Sequence, residues 1–155
     1  MAALEWFESI TRLQKRVDDL QDRVASAYAY AGPHGQQMGS VGGGGGHDAM
    51  AGIDSLIDTN ALVELDRAKA ELERRLERAS NVLYGKSGRG GLAKASCSVD
   101  ADIMCCHYLQ GMGWAEIAKE IVKPDVEYPD KWCRMRAVRA CRKIDRIGMD
   151  VLANS

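Results

Sequence analysis

The chain has 155 residues, 46% hydrophobic and 28% charged, enough for one folded domain or a small domain with an appendage. Its net charge of −1 excludes a protein that coats nucleic acid through bulk charge, but leaves room for one directed contact surface. No apolar run approaches the ~18–20 residues of a membrane span, and the N-terminus lacks the basic start and apolar core of a secretory signal, so a cytoplasmic location is expected.

Aromatic side chains make up 6% and prolines number three, which favours helices over sheets and permits long ones; an all-α fold is expected. Residues 1–31 carry apolar positions in a 4-3 rhythm at Trp6, Ile10, Leu13, Val17, Leu20, Val24 and Ala27, with charged residues between them. That is a coiled-coil-like stripe along one long helix. Residues 32–52, with five consecutive glycines at 42–46, read as a flexible linker, because ordering glycine is entropically costly and buries nothing. The seam resumes in 53–84 with Leu65, Ala68, Leu72, Leu76, Ala79 and Leu83, and Gly85 is a natural helix stop. Two such helices most simply form an antiparallel hairpin whose spare apolar surface recruits a second copy, with a dimer as the favoured homo-oligomer.

Residues 85–97 read as a hinge. "GKSGRGG" suggests a phosphate loop, but Ser80 stands where that motif needs glycine, and the loop follows a helix rather than a strand. The five cysteines lie within amphipathic patterns and form no C-x-x-C pair. They read as reduced thiols rather than as zinc ligands drawn from Cys105, Cys106, His107, Cys133 and Cys141.

From residue 98 three short helical patterns follow, the expected helix-turn-helix domain at 98–155. "VDADIMCCHYLQ" is broken by "GMG". "WAEIAKEI" then places Trp114, Ile117, Ala118 and Ile121 on one face, and a longer connection leads to Pro129 and "PDKWCRMRAVRACRKIDRIG". The last helix has a narrow apolar stripe: Cys133, Ala137, Ala140, Cys141 and Ile144. It also gathers seven of the chain's 21 basic residues into 131–146. Helix, break, short helix, turn and basic helix is the order of a helix-turn-helix unit, whose second helix enters the major groove of double-stranded DNA. The candidate DNA-binding residues are Lys131, Arg134, Met135, Arg136, Arg139, Arg142 and Lys143. Lys131 and Arg134, near the helix start, are expected at base edges and Arg139 and Arg142 at phosphates. Arg136 lies nearer the edge of the apolar stripe, where it meets either a phosphate or an acidic neighbour. No nucleophile–base set, carboxylate pair or metal cluster has usable spacing, so neither an enzyme nor a cofactor is expected.

"HYLQGMGWAEIAKEI" resembles the third and fourth helices of sigma-factor region 4, and "YPDKWCRMRAVRAC" resembles the recognition helix of small phage proteins with a region-4-like C-terminus. In architecture, with a coiled-coil-like helix, a glycine-rich stretch and a second charged helix, the chain is similar to the RinA/ArpU-type transcriptional regulators of phages and prophages. It departs from their pattern at His107 (usually Arg), Gly113 (usually Ser or Thr) and Pro129 (usually Ser), and its connection at 122–128 is several residues longer. The resemblance implies a sequence-specific, prophage-encoded transcription regulator of late genes, acting in the bacterial host cytoplasm or nucleoid, with RNA polymerase as a further partner. Two other readings are the DNA-recognition subunit of a phage terminase and a pure interaction module with a solvated basic helix.

Overall fold

The structure, a computed structural model, describes residues 1–30, 48–122 and 126–155, with side chains placed for all of these except 30 and 48–58. It is all-α: among the described residues there is no strand. The helices are α1 (Ala2–Tyr30), α2 (Asp48–Tyr84), α3 (Gly91–Ala95), α4 (Ser98–Met104), α5 (Trp114–Ile121), α6 (Pro129–Ile147) and α7 (Met149–Ala153). α4 runs directly into a π-helical turn at Cys105–Leu109, closed by a bond from Gln110 N–H to the Cys105 carbonyl at 3.1 Å. The stretch read as a linker lies outside the described residues as far as 47. Its last part, 48–52, belongs to α2, because the glycine run has ended and Ala49, Met50 and Ala51 are good helix formers.

The chain divides into two compact units, residues 14–71 and residues 1–13 with 72–155. In the first, Val17, Leu20, Leu65 and Ala68 are buried, and Arg16 pairs with Glu64 at the surface. These seam side chains are already covered within the chain. Among the described residues, the exposed large apolar side chains of this unit are Tyr28 and Val63, and the seam positions Val24 and Ala27 are half-buried.

The second unit corrects the expected domain boundary. Residues 98–155 do not stand alone: the first turns of α1 and the end of α2 are part of the same core, with Ala3, Phe7, Ile10, Leu72, Ala79, Val82 and Leu83 buried in it. Here α1 and α2 run antiparallel, since Arg78 lies over the Trp6 ring at 5.9 Å and Arg75 donates to the Ser9 hydroxyl at 2.8 Å. The inward aromatic is Phe7, which packs against Tyr108 of the π turn with ring centroids 5.4 Å apart. Trp6, expected in the seam, is half-buried beside it, edge-on at 5.0 Å. The 4-3 rhythm is therefore Ala3, Phe7, Ile10, shifted by one residue at its first aromatic.

The expected hinge at 85–97 is packed rather than open. Gly85 and Gly91 adopt left-handed backbone, with φ +73° and +61°, and a side chain on Gly91 would meet the backbone of Leu83 and Tyr84 at 2.6 Å. Gly85 N–H closes α2 on the Asn81 carbonyl at 2.7 Å, Gly90 N–H reaches the Tyr84 carbonyl at 2.7 Å, and Gly91 N–H donates to the Ser155 hydroxyl at 2.6 Å. Glycine is used here because two stretches of backbone approach closely. Leu92 follows into the core, and Tyr84 donates to the Asp102 carboxylate at 2.8 Å, tying α2 to α4.

Candidate nucleic-acid interface

α5 starts at Gly113, whose backbone is extended (ψ 151°) as at an ordinary helix entry but which has no side chain to cap it. Glu116 compensates: its carboxylate accepts from Gly113 N–H at 3.4 Å, and its own N–H bonds the Gly113 carbonyl at 3.0 Å. Ile117 and Ala118 bury the inner face of α5, which packs against α6. Of the connection at 122–128, residues 123–125 lie outside those described. α6 begins after Tyr128, which holds left-handed backbone (φ 53°) and is followed by Pro129 with its pre-set φ. Gly148 (φ +97°) ends it.

α6 has two sides. All five residues of the small apolar stripe, Cys133, Ala137, Ala140, Cys141 and Ile144, are at most 1% exposed. Burial pushes the Cys141 thiol up to about 12, with the charges of Asp145 and Glu8 acting in the same sense. Around the axis, Lys131, Arg134, Met135, Arg139 and Arg142 are exposed, Met135 by 45%. A shallow groove runs along that side between Arg134, Met135, Val138, Arg139 and Arg142. From Lys131 to Arg142 the row spans ~17 Å at 1.5 Å per residue. Arg146, one turn beyond Arg142, is exposed too and extends the row; it belonged to the basic run but not to the candidate set.

Two candidates lie elsewhere. Arg136 points away from the exposed row: its Nε donates to the Asp100 carboxylate on α4 at 2.5 Å, and its guanidinium lies 4.9 Å from the Trp132 ring centroid. The neighbour of Arg136 is thus the acidic one, and the pair clamps α4 to α6. Asp100 is 8% exposed and also accepts from the Ser96 hydroxyl at 3.1 Å, so its charge is matched where it is desolvated. Lys143, two turns beyond Arg136 on the same side, is partly buried. The Trp132–Arg136 spacing of one helical turn was the sequence signal that Arg136 is engaged locally.

His107 lies between the π turn and α5. Its ring stacks on Trp114 with centroids 3.7 Å apart, and Nδ1–H donates to the Met112 carbonyl at 2.9 Å. Burial lowers its pKa below the ordinary value, partly offset by the Met112 bond and reinforced by the Arg134 charge, so the ring is neutral near pH 7. Beside it, a groove of about 480 Å³ separates the first turns of α1 from the π turn and α6. Leu4, Glu8, Thr11 and Arg12 line one wall, and His107, Trp114, Arg134 and Val138 line the other.

The arrangement carries exposed cations, interspersed with Met135 and Val138, on a helix whose opposite stripe is fully buried, with a second helix packed against it. Compared with known proteins, the chain matches no family model, no curated protein and no solved structure.

Proposed function

We propose that the chain is a sequence-specific binder of double-stranded DNA that acts as a transcription regulator, with α5 and α6 as its helix-turn-helix and α6 as the reading helix. The observation that carries this reading is the division of α6 into a fully buried small-residue stripe and an exposed row of Lys131, Arg134, Arg139 and Arg142 around Met135. Five exposed cations including Arg146, in a chain of net charge −1, make one directed electropositive face. Lys131 and Arg134 lie where a reading helix approaches base edges, and Arg139, Arg142 and Arg146 lie where it follows the phosphates. The regulatory and prophage parts of the proposal rest on the resemblance of residues 103–144 to region-4-like phage regulators. RNA polymerase contact and binding as a homodimer belong to the same proposal. A dimer would place two α6 helices one turn of DNA apart, ~34 Å, on a two-fold symmetric site.

The test is selection of a binding site from random duplexes, followed by salt titration of that site and of a random duplex. Arg134→Ala is expected to lose on the order of 1–3 kcal/mol of discrimination, the value of a good base contact. Arg139→Ala and Arg142→Ala should weaken both duplexes alike and each reduce the slope of log K against log[salt] by about one. Wild-type affinity, slope and discrimination in all three variants would sink the DNA-binding reading.

A further inference from the structure

The proposed reading helix does not stand alone on its flank. Ala3 N–H donates to the Asp145 carboxylate at 2.8 Å, the Glu8 charge reaches Cys141, and Arg12 lines the same groove as Arg134. Ala3 thus meets the C-terminal part of α6 while Leu4, Glu8, Thr11 and Arg12 share a groove with Arg134, Ala137 and Val138 of its first half, so the first turns of α1 run antiparallel along one side of α6. Asp145 also supplies an acceptor for a first-turn N–H of α1, where the helix dipole favours a negative charge. Leu4, Glu8, Thr11 and Arg12 share the face of α1 turned towards α6, while Ala3, Phe7 and Ile10 fill the core.

A B-DNA major groove is about 12 Å wide and an α-helix with its side chains about 10–12 Å, so a reading helix fills the groove. Whatever flanks that helix on the protein side then lies over a sugar–phosphate strand. From this geometry we infer that the first turns of α1 are part of the DNA-binding surface: Arg12 contacts a backbone phosphate beside the groove occupied by α6, and Glu8 opposes the same phosphates and limits non-specific affinity. This rests on the DNA-binding reading above and extends it beyond the helix-turn-helix. Arg12 is exposed, and no hydrogen bond or ion pair holds it among the described residues. Its cation is therefore available to a partner.

The experiment uses the full chain, with the selected site and a random duplex, in Arg12→Ala, Arg12→Lys, Glu8→Gln and Arg139→Ala. Loss of one phosphate contact with a salt exponent of ~0.9 corresponds to roughly fivefold weaker binding at 0.15 M salt. Arg12→Ala should show that loss on both duplexes with a slope smaller by about one. Arg12→Lys should restore it, and Glu8→Gln should strengthen both duplexes with discrimination unchanged. Thermal unfolding of each variant checks that the fold is kept. If Arg139→Ala weakens binding while Arg12→Ala and Glu8→Gln leave affinity and slope at wild type, α1 is no part of the surface and this inference falls alone. If Arg139→Ala is also silent, the DNA-binding reading falls with it.

Discussion

Replacing Phe7 by Ala tests whether the start of α1 is structural to the unit that carries α6. Phe7 is completely buried, edge-on to Trp6 at 5.0 Å and tilted against Tyr108 at 5.4 Å. A buried aromatic removes about 150–250 Å² from water, and its ring contacts add about 0.5–1.5 kcal/mol. At about 25 cal/mol per Å² the hydrophobic part alone is ~4–6 kcal/mol, of which Ala retains some. Core Phe→Ala replacements cost about 3–5 kcal/mol, and that is the expected loss here. Urea unfolding followed by tryptophan fluorescence reads this unit directly, because Trp6, Trp114 and Trp132 all lie within it. With a slope of about 1–3 kcal/mol per molar urea, the midpoint should fall by more than 1 M. A fragment of residues 98–155 should accordingly fail to melt cooperatively. If Phe7→Ala shifts stability by less than about 1 kcal/mol, the scale of an ordinary substitution, and the fragment melts like the full chain, the shared core is wrong.

Further outcomes follow from the same packing. Gly88 and Gly91 both have positive φ, but a side chain at Gly88 meets open space whereas one at Gly91 meets backbone. Gly88→Ala should therefore cost only the left-handed penalty of about 1 kcal/mol, and Gly91→Ala at least about 3 kcal/mol in thermal or urea unfolding. Arg136→Met and Asp100→Asn should each lose about 1–2 kcal/mol of stability, since the pair is partly exposed. The double variant should lose less than the sum, and Arg136→Met should keep the wild-type salt slope for DNA, unlike Arg142→Ala. His107 has a folded pKa below its unfolded value of about 6.5, so the unfolded chain binds the proton more readily. Stability should be full above that value and fall as pH drops through it towards the folded pKa. Comparing midpoints at pH 7.5 and 5.5 should show a smaller loss in His107→Phe, which preserves the stack on Trp114.

The all-α fold and the buried stripe of α6 were legible because both follow from periodicity. Small apolar residues at 133, 137, 140, 141 and 144 can face only one direction on a helix. Rows of long cations at 131, 134, 139 and 142 must then face another. Periodicity was ambiguous at adjacent Trp6 and Phe7, where either aromatic continues a 4-3 rhythm. The choice between them was made by Tyr108, a hundred residues away, against which Phe7 packs. The partner of Arg136 was equally non-local: its place at the edge of the apolar stripe left a phosphate and an acidic neighbour both open, and the neighbour, Asp100, lies on another helix. The glycine turn misled for a physical reason. Glycine permits both a loose hinge and the tightest approach of two backbones, and the composition of 85–91 is the same in either case.

The boundary at residue 98 failed in a way that bears on the site. A helix-turn-helix of two short helices and α6 has a small core, and its stripe offers only Cys, Ala and one Ile to bury. Such a stripe stabilises little by itself, because each small side chain removes little apolar area from water. Its use is to let neighbours approach closely, so it requires neighbours. Ile103 and Met104 of α4 and Ile117 of α5 supply part of that bulk, and Phe7 and Ile10 of α1 with Val82 and Leu83 of α2 add to it in the same unit. The small residues that made α6 recognisable as a close-packing helix are therefore a reason to expect that a cut at residue 98 destabilises it. They also bring α1 alongside α6, setting Arg12 and Glu8 beside Arg134 at the edge of the exposed cationic row.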